Sequence, residues 1–251
     1  MGTTTRDFVS VGIDGCKGKW LAVAISRNKF EVAIHENIAE ICHKYSVADS
    51  VIIDMPIGLP ERIEDIRPDG KLRKLLKGKA SSVFNTPCRQ AVYAPDYTQA
   101  IEENKKVLGL AISPLAYAIV PKIREIDVFL KENPDWKNRL VESHPEYCFA
   151  LLNQGKPVLE KKKKPDGKAV RLSLLSEYYA ESCNVIEQFQ KTISGSTSKT
   201  DDVIDALVLA VIGTLGLLYE FTTVPEKPMK DAKGLYMQIK GATITEGAKI
   251  L

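Results

Sequence analysis

Three short apolar runs open the chain and alternate with polar turns. Residues 8–13, 20–25 and 30–35 carry the apolar side chains, and the segments GCKGK and SRNK separate them. Short polar connections of this kind join antiparallel strands. We therefore predict a three-stranded antiparallel meander at the start of the chain.

A helix and a fourth strand are predicted next. Residues 36–45 place Ile38, Ile41 and Cys42 at helical spacing, and the run SVIID follows at residues 50–54. A continuous apolar run of that length is typical of a strand buried on both faces of a parallel sheet. We expect the helix to cross back, so that this strand lies parallel to the first.

The rest of the chain is mostly helical by pattern. A basic helix is predicted in residues 61–77, although Pro68 and Gly70 interrupt it, and Pro121 is expected to bend a later helix. Residues 139–142 predict a short strand. The remaining segments are a structured loop at 81–93, helices at 96–108 and 113–131, a solvated lysine-rich loop at 154–167, an amphipathic helix at 170–189, a flexible connector at 193–199, a helix at 201–218, and a tail at 220–251 with one further strand.

Acidic residues stand where the predicted apolar elements end. Asp14 follows the first strand, Asp54 ends the fourth strand, and Glu142 ends the strand at 139–142. Asp202 and Asp205 lie one turn apart in the last helix, which is otherwise apolar. Taken alone, Asp14 is equally compatible with a hairpin turn in which it bonds its own amides. A carboxylate in a buried helix, by contrast, needs a cation or several donors.

Carboxylates that converge on one point repel one another and stay partly protonated. A divalent cation removes that repulsion, and oxygen ligands without a supporting histidine or cysteine cluster select Mg²⁺ or Mn²⁺ over zinc. Two such ions about 4 Å apart can activate a water and stabilise the leaving oxygen of a phosphoryl displacement. The acidic set therefore indicates a Mg²⁺ or Mn²⁺ site.

Composition and charge indicate the class of protein that carries this site and the compartment in which it works. The 251 residues, of which 44% are hydrophobic and 27% charged, are typical of a soluble globular protein. The net charge of +3 is small, so a nucleic acid would have to be held by a local patch. Five scattered cysteines favour reduced thiols. No secretory signal opens the chain, and the longest apolar run, residues 206–219, is too short to span a bilayer. A cytoplasmic protein with no membrane partner is predicted.

Six motifs resemble those of the family called domain of unknown function 429. They are GIDGCKGKW at 12–20, IDMPIGLP at 53–60, SVFNTPCRQA at 82–91, PKIREID at 121–127, ESHPE at 142–146 and DDVIDAL at 201–207. Members of that family are commonly described as predicted ribonuclease-H-like nucleases, and the D-x-x-D-A pattern of the last helix resembles the closing helix of Holliday-junction resolvases. The resemblance implies an α/β fold with a ribonuclease-H-like mixed five-stranded sheet, three antiparallel strands and then parallel strands, flanked by helices. We expect a single domain over residues 1–251 with a helical insertion at about 60–135.

The resemblance also implies a metal-dependent nuclease or another phosphodiesterase-type hydrolase. The catalytic acids that it implies are Asp14, Asp54, Glu142, Asp202 and Asp205, and all except Glu142 are expected to bind Mg²⁺ or Mn²⁺. The last helix offers more acidic residues than the usual acidic set of such nucleases contains. Which of Asp201, Asp202 and Asp205 binds metal therefore stays open, although helix phase favours the last two. The substrate, a nucleic acid or a small phosphorylated compound or nucleotide, is expected to meet Lys17, Arg89, Lys122 and His144.

Two other functions remain compatible with the sequence. Phosphotransferases and ATPases of the actin and sugar-kinase type share this sheet, and GIDGCKGKW would then be the phosphate loop. The sequence has no second copy of the three-stranded unit, which disfavours a phosphotransferase or ATPase of that type. The other alternative is a non-catalytic ribonuclease-H-like scaffold that binds a small anionic ligand or a protein. The oligomeric state is not determined by the sequence.

Overall fold

The computed structural model of the chain describes residues 10–27, 29–192, 200–245 and 247–250. Five strands form the central mixed sheet: β1 (Ser10–Cys16), β2 (Lys19–Ile25), β3 (Phe30–His35), β4 (Ser50–Ile53) and β5 (Leu140–Glu142). Their order is β3-β2-β1-β4-β5. The pairs β1/β2 and β2/β3 are antiparallel, whereas β1/β4 and β4/β5 are parallel. The expected sheet of three antiparallel strands followed by parallel strands is confirmed.

The turn between β1 and β2 is shorter than the sequence pattern predicts. β1 continues through Asp14 to Cys16, which pairs with Lys19. Only Lys17 and Gly18 form the loop, with φ angles of 46° and 82°. Positive φ at both central residues is typical of the two-residue I′ turn, whose twist matches that of the strands. The prediction that this strand ends at residue 13 is therefore wrong, and Asp14 lies inside the sheet. Residues 8 and 9, predicted to begin the strand, lie outside the described residues.

Helices cover both faces of the sheet, because successive strand residues point to opposite faces. On one face, Val11, Ile13 and Ile53 pack against α1 (Ile38–Lys44) and α6 (Val120–Glu132). On the other face, Leu21 and Ile52 pack under α10 (Thr200–Leu218). Further helices enclose α10, namely α7 (Pro145–Leu152), α8 (Pro165–Tyr178) and α9 (Ser182–Thr192). This enclosure explains why α10 is apolar almost all round.

The segment between β4 and β5 is helical but more broken than predicted. It contains α2 (Asp69–Leu75), α3 (Arg89–Tyr93), α4 (Tyr97–Leu108), α5 (Pro114–Ala118) and the helix α6. The basic helix predicted at 61–77 is reduced to α2, which begins directly after Pro68. The structured loop predicted at 81–93 contains α3. The helix predicted at 113–131 is split between α5 and α6. Pro121 has no amide hydrogen with which to continue the hydrogen bonds of a helix, whereas it is well tolerated in the first turn of a new one.

The later segments also depart from the sequence pattern. The helix predicted at 170–189 is two helices, since Tyr179 takes an extended conformation and buries its ring in the core. Helix α7 was not predicted, and the connector predicted at 193–199 lies outside the described residues. Where one strand was expected in the tail, β6 (Phe221–Lys230) and β7 (Tyr236–Ala242) form a two-stranded antiparallel sheet.

Helix α10 lies directly on the backbone of β1. A Cβ atom added to Gly12 would lie 1.9 Å from the carbonyl oxygen of Ala206 and 2.5 Å from the amide nitrogen of Ala210. At the other end of the contact, a Cβ on Gly213 would lie 2.1 Å from Oγ of Ser10. The two elements therefore run in opposite directions, and the start of α10 lies over the carboxyl end of β1.

Replacing Gly12 with alanine is expected to destabilise the protein by about 3 kcal/mol, the upper end of the usual effect of overpacking, because the atoms in the way are helix backbone. Urea denaturation measures the change. Gly70→Ala is the matched control, since Gly70 lies in α2 and a Cβ there meets nothing within 4 Å. It should raise stability slightly, by up to about 1 kcal/mol. Equal effects of the two substitutions would contradict the packing described here.

Candidate functional site

Asp14 and Asp54 are neighbours at the carboxyl ends of two parallel strands. Ile13 of β1 is in register with Ile53 of β4, and the amide of Asp54 donates a hydrogen bond of 2.9 Å to the carbonyl oxygen of Ile13. Ile13 and Ile53 point towards α1 and α6, so the next residue on each strand points to the α10 face. The two carboxylates therefore lie side by side under the start of α10.

Asp205 completes the cluster from α10. Its side chain is almost fully buried, with 3% exposed, because α10 packs closely on Gly12 of β1. Its Oδ2 atom accepts a hydrogen bond of 2.5 Å from Nζ of Lys162. We call Asp14, Asp54 and Asp205 the carboxylate cluster, since three separate elements bring these acids to one corner of the sheet.

The pKa values of all three acids of the carboxylate cluster are raised, mainly by burial. Burial raises the pKa of Asp14 well above its usual 3.8, and the negative charges of Asp54 and Asp205 raise it further. Burial also raises the pKa of Asp54, and it raises that of Asp205 to about 6 despite the neighbouring Lys162 ammonium. Asp202 is only partly buried and raises the pKa of Asp14 less than Asp205 does. Of the acids in α10, Asp205 is therefore the member of the cluster, and Asp202 lies at its margin.

Glu142 lies on the opposite face of the sheet. It pairs in register with Ile53, so its side chain points away from Asp54. Both carboxylate oxygens bind the buried guanidinium of Arg67, at 2.6 Å and 3.0 Å, and one also accepts from the amide of Ile57 at 2.7 Å. Burial raises the pKa of Glu142 to about 7 although Arg67 opposes the rise. The structure thus gives Glu142 a guanidinium partner on the other face of the sheet, although Glu142 lines the same cavity as Asp14 and Asp54.

A cavity of about 460 Å³ opens beside Asp14 and Asp54. Several segments line it, namely the β1/β2 turn, the end of β4, α2, the loop of residues 82–87, the start of α6, the segment from the end of β5 to the start of α7, and β7. Apolar side chains form much of its wall, including Val83, Phe84, Ile119, Ile123 and Ile239. The cavity thus has an acidic end at the cluster and an apolar wall facing it.

Three of the expected substrate-binding residues line this cavity. Lys17 is exposed in the β1/β2 turn. Nζ of Lys122 lies 3.7 Å from the centre of the Trp20 ring and donates a 2.6 Å hydrogen bond to the carbonyl oxygen of Lys19. Nε2 of His144 lies 3.2 Å from the carbonyl oxygen of Ser82, and this contact joins the start of α7 to the loop of residues 82–87.

Arg89 occupies a different position. Its guanidinium donates to Glu61 and Asp231 at 2.6 Å each and also binds Asp127. Arg89 lines a separate surface pocket together with Glu61 and Asp127. Three carboxylates already surround this side chain, so the structure places it in a tertiary ion-pair network and away from the carboxylate cluster.

Lys162 and Arg67 have functional or structural partners that the sequence pattern does not predict. The lysine run that contains Lys162 predicts a solvated loop, yet the Lys162 side chain turns inward to Asp205. Arg67 is one of several basic residues of the helix predicted at 61–77, yet only 6% of its side chain is exposed. No signal in the sequence distinguishes either residue from its basic neighbours, because the distinction depends on which side chain faces the sheet.

The cluster suits a hard divalent cation in donor type and in charge. It offers carboxylate oxygens, and the pKa of Asp14 is raised by burial and by the negative charges of Asp54 and Asp205, a repulsion that a cation would relieve. Within residues 10–27, 29–192, 200–245 and 247–250, no three acidic, histidine or cysteine side chains already surround one point as a ligand set. Asp205 is turned to Lys162, and Oδ1 of Asp14 accepts from the amide of Gly15 at 2.6 Å.

Two further features concern the setting of the site. The structure describes all five cysteines, of which four are buried, and joins none of them in a disulfide bond. Among the helices that the structure describes, none combines the length and the apolar character needed to cross a membrane.

Replacing Asp14 with asparagine is expected to stabilise the metal-free protein near neutral pH. The folded pKa of Asp14 is raised, so its carboxyl group loses stabilising free energy as the pH rises from about 4 through that pKa, and asparagine avoids this loss. Urea denaturation in the presence of a chelator, at several pH values between about 4 and 8, measures the free energy of unfolding. The free energy of unfolding of the variant should increase relative to that of the natural protein as pH rises. Asp135→Asn, at an exposed position, should show no such trend. A constant difference across the pH range would contradict the electrostatic account.

Replacing Arg67 with methionine should lower the free energy of unfolding by about 3–5 kcal/mol, because Glu142 is left buried without its partner. Loss of the guanidinium raises the pKa of Glu142 above its value of about 7 in the natural protein, so the loss of stability should be largest in alkaline solution and become smaller as pH falls towards 7. Thermal or urea unfolding measures both effects. Arg62→Met removes an arginine whose side chain is 74% exposed and should leave stability nearly unchanged. A mild effect at Arg67, equal to that at Arg62, would rule out the buried pair.

Comparison with known proteins identifies the family. A family model described as a protein of unknown function (DUF429) matches residues 12–230, a range that contains the whole carboxylate cluster and both Lys162 and Arg67. No curated protein and no solved structure matches the chain. The chain belongs to the DUF429 family, the same family that its sequence motifs resemble.

Proposed function

We propose that this protein is a metal-dependent phosphoester hydrolase of nuclease or phosphodiesterase type. One observation carries the proposal. Asp14, Asp54 and Asp205 come from three elements to one corner, where Asp14 and Asp54 line a cavity. Burial raises the pKa values of all three, and the negative charges of Asp54 and Asp205 raise that of Asp14 further. Such mutual repulsion is unfavourable to folding, and perturbed acids beside a cleft are typical of functional sites. A divalent cation would relieve the repulsion.

The reaction proposed is the addition of water across a phosphorus–oxygen bond. The water oxygen bonds to phosphorus, and the leaving oxygen takes the electron pair of the broken bond together with a proton. Bound Mg²⁺ or Mn²⁺ would activate the water and stabilise the leaving oxygen. The protein's part is to hold the cation with Asp14, Asp54 and Asp205, with Asp202 at the margin of the set. In this proposal Glu142 and Arg89 stabilise the fold and do not contact the cation or the substrate, since each is already held in ion pairs.

Lys17, Lys122 and His144 are proposed to shape and charge the substrate end of the cavity. Lys17 is exposed and Lys122 is half-buried on the lining, so both ammonium groups are available to the oxygens of a phosphate. His144 holds the loop of residues 82–87 through the carbonyl oxygen of Ser82, which makes it a positioning residue. A phosphate between these groups would lie beside the carboxylate cluster.

The cavity favours a small substrate or a single nucleotide unit of a longer strand. Its volume of about 460 Å³ falls in the range of small-molecule sites. The ring of Phe84, which is 37% exposed, offers a face on which a base or another flat ring can stack. We therefore propose a phosphorylated compound such as a nucleotide, or the end of a single strand, in preference to an intact duplex.

A cytoplasmic location is part of the same proposal. None of the five cysteines, all within the described residues, is in a disulfide bond, and a reducing compartment would keep them so.

The test is a screen of the purified protein against single-stranded, duplex and branched nucleic acids, nucleotides and a chromogenic phosphodiester, each with Mg²⁺ and with Mn²⁺. We expect turnover of at least one substrate that a chelator abolishes. Asp14→Asn and Asp205→Asn should each reduce the rate by about 100-fold or more, because each removes a proposed cation ligand.

Asp135→Asn, at an exposed position away from the cluster, should keep full activity. If no substrate is hydrolysed faster than by the Asp14→Asn, Asp205→Asn double variant, the hydrolase proposal fails and the scaffold alternative replaces it.

A further inference from the structure

Basic residues are concentrated in two segments that are distant in the sequence. Residues 70–79 and 156–168 together hold eleven of the 35 basic residues of the chain and only two of its 32 acidic residues. The net charge of the whole chain is only +3, so the remaining residues are acidic on balance. A local concentration of positive charge of this kind is typical of a surface that binds a polyanion.

The structure brings the two segments together. Nζ of Lys79 donates a hydrogen bond of 3.1 Å to the carbonyl oxygen of Glu160. A Cβ atom added to Gly78 would lie 2.8 Å from Cδ2 of Leu159, so the two backbones are close neighbours here. Six exposed lysines lie on the two sides of this junction. We call them the basic surface: Lys71, Lys74, Lys77, Lys161, Lys163 and Lys164.

Buried contacts hold the backbone of the loop that carries half of the basic surface. The guanidinium of Arg171, which is 1% exposed, binds both oxygens of Glu146 at 2.8 Å and donates to the carbonyl oxygen of Glu160 at 3.0 Å. A Cβ atom on Gly167 would lie 2.1 Å from the carbonyl oxygen of Lys161. A ligand that binds this loop therefore has to order lysine side chains but not the backbone, which lowers the entropic cost of binding.

The lysines of the basic surface keep their charges for a ligand. Two neighbouring lysines are engaged inside the protein, since Lys79 lies 3.7 Å from Glu146 and Lys162 lies 2.5 Å from Asp205. Within the part of the chain that the structure describes, none of the six lysines of the basic surface forms an ion pair with a carboxylate. Their ammonium groups are therefore available to phosphate oxygens.

The basic surface borders the cavity through α2. Leu72 of α2 lines the cavity, whereas Lys71 and Lys74, three residues apart on one face of the helix, are exposed. Arg73 donates to the carbonyl oxygen of Val83 at 3.0 Å and 2.9 Å, and this contact ties α2 to the loop of residues 82–87. A chain molecule that lies on the basic surface thus reaches the cavity by crossing α2.

We propose that the basic surface binds the sugar–phosphate backbone of a single-stranded nucleic acid whose end enters the cavity. This inference rests on the proposed function and narrows its substrate to a strand, because a lone nucleotide in the cavity would leave the lysines outside it unused. A single strand fits better than a duplex, since a free end fits a cavity of about 460 Å³ and its unpaired bases can stack on Phe84.

The experiment is a fluorescence-anisotropy titration of labelled oligomers of thymidine and of uridine, each of about 20 nucleotides, in the presence of a chelator and at several salt concentrations. The natural protein should bind, and its affinity should fall steeply as salt rises. Two triple variants remove the two halves of the basic surface. One is Lys71→Gln, Lys74→Gln, Lys77→Gln, and the other is Lys161→Gln, Lys163→Gln, Lys164→Gln.

Each triple variant should bind at least about tenfold more weakly at about 0.1 M salt. The slope of log affinity against log salt should fall by up to about 2, because each lost phosphate contact removes about 0.7. Phe84→Ala should weaken binding about fivefold or more without changing that slope, since it removes stacking and no charge.

The matched control is the triple variant Lys105→Gln, Lys106→Gln, Lys191→Gln, which removes the same charge from exposed positions on α4 and α9. It should keep the salt slope and lose less than about twofold in affinity, because charges far from the ligand are screened. Arginine at positions 71, 74 and 77 should keep binding, since the charge is retained. If one surface variant does not unfold cooperatively, the other decides.

Unchanged binding by both surface variants, or an equal loss in the control, would overturn the inference. Unchanged affinity of Phe84→Ala would overturn entry of the strand into the cavity. Leu75 and Leu159, which are 50% and 62% exposed, are the apolar residues that an anionic membrane could contact instead. Binding to vesicles that contain about 30% phosphatidylserine, with no binding to either oligomer, would therefore also overturn the inference.

These failures leave the hydrolase proposal standing, because the titration contains no divalent ion and measures no turnover. The opposite result is equally distinct. Binding as expected, with no hydrolysis of any substrate in the screen described above, would overturn the hydrolase proposal and leave the basic surface as part of a binding scaffold.

Discussion

The close contact between α10 and β1 at Gly12 is the constraint on which the site depends. The absence of a side chain at this position lets helix backbone lie against strand backbone, with only 1.9 Å between a hypothetical Cβ and the carbonyl oxygen of Ala206. Asp205, one residue before Ala206, is thereby carried to the end of β1, where Asp14 stands. A larger residue at position 12 would lift the helix and draw Asp205 away from the strand ends. Core packing and the placement of the acids are therefore one property of this fold.

Two groups of acids lie at the carboxyl edge of the same sheet, and the fold treats them differently. Glu142 points to one face and receives the buried guanidinium of Arg67. Asp14 and Asp54 point to the other face, where the Lys162 ammonium binds Asp205. Both groups lie beside one cavity, but Glu142 is paired with a buried guanidinium, whereas Asp14 and Asp54 repel each other. This imbalance is the physical basis for assigning function to the second group.

Much of this architecture could be predicted from the sequence, and the failures have specific causes. The alternating apolar runs predicted the sheet, and the positions of Asp14 and Asp54 at strand ends predicted that they would be neighbours, because parallel strands end at one edge. Glu142 also ends a strand, but its register with Ile53 sends it to the opposite face. The strand predicted to end at residue 13 runs on to Cys16, since a turn of only two residues suffices.

The sequence by itself determined the sheet, the buried character of α10 and the acids that could meet, because these follow from the periods of strand and helix and from the chemistry of side chains. Only the tertiary structure decided which charges meet. Lys162 is one of four consecutive lysines, and Asp205, its partner, lies far from it in the sequence. This pairing depends on the position of the loop that carries Lys162, and Arg171 helps to fix that loop by donating to the carbonyl oxygen of Glu160. Arg67 and Arg89 likewise form ion pairs with carboxylates that are distant in the sequence, namely Glu142 and Asp231. Long-range ion pairs leave no periodic pattern, so three-dimensional packing alone selects the partners.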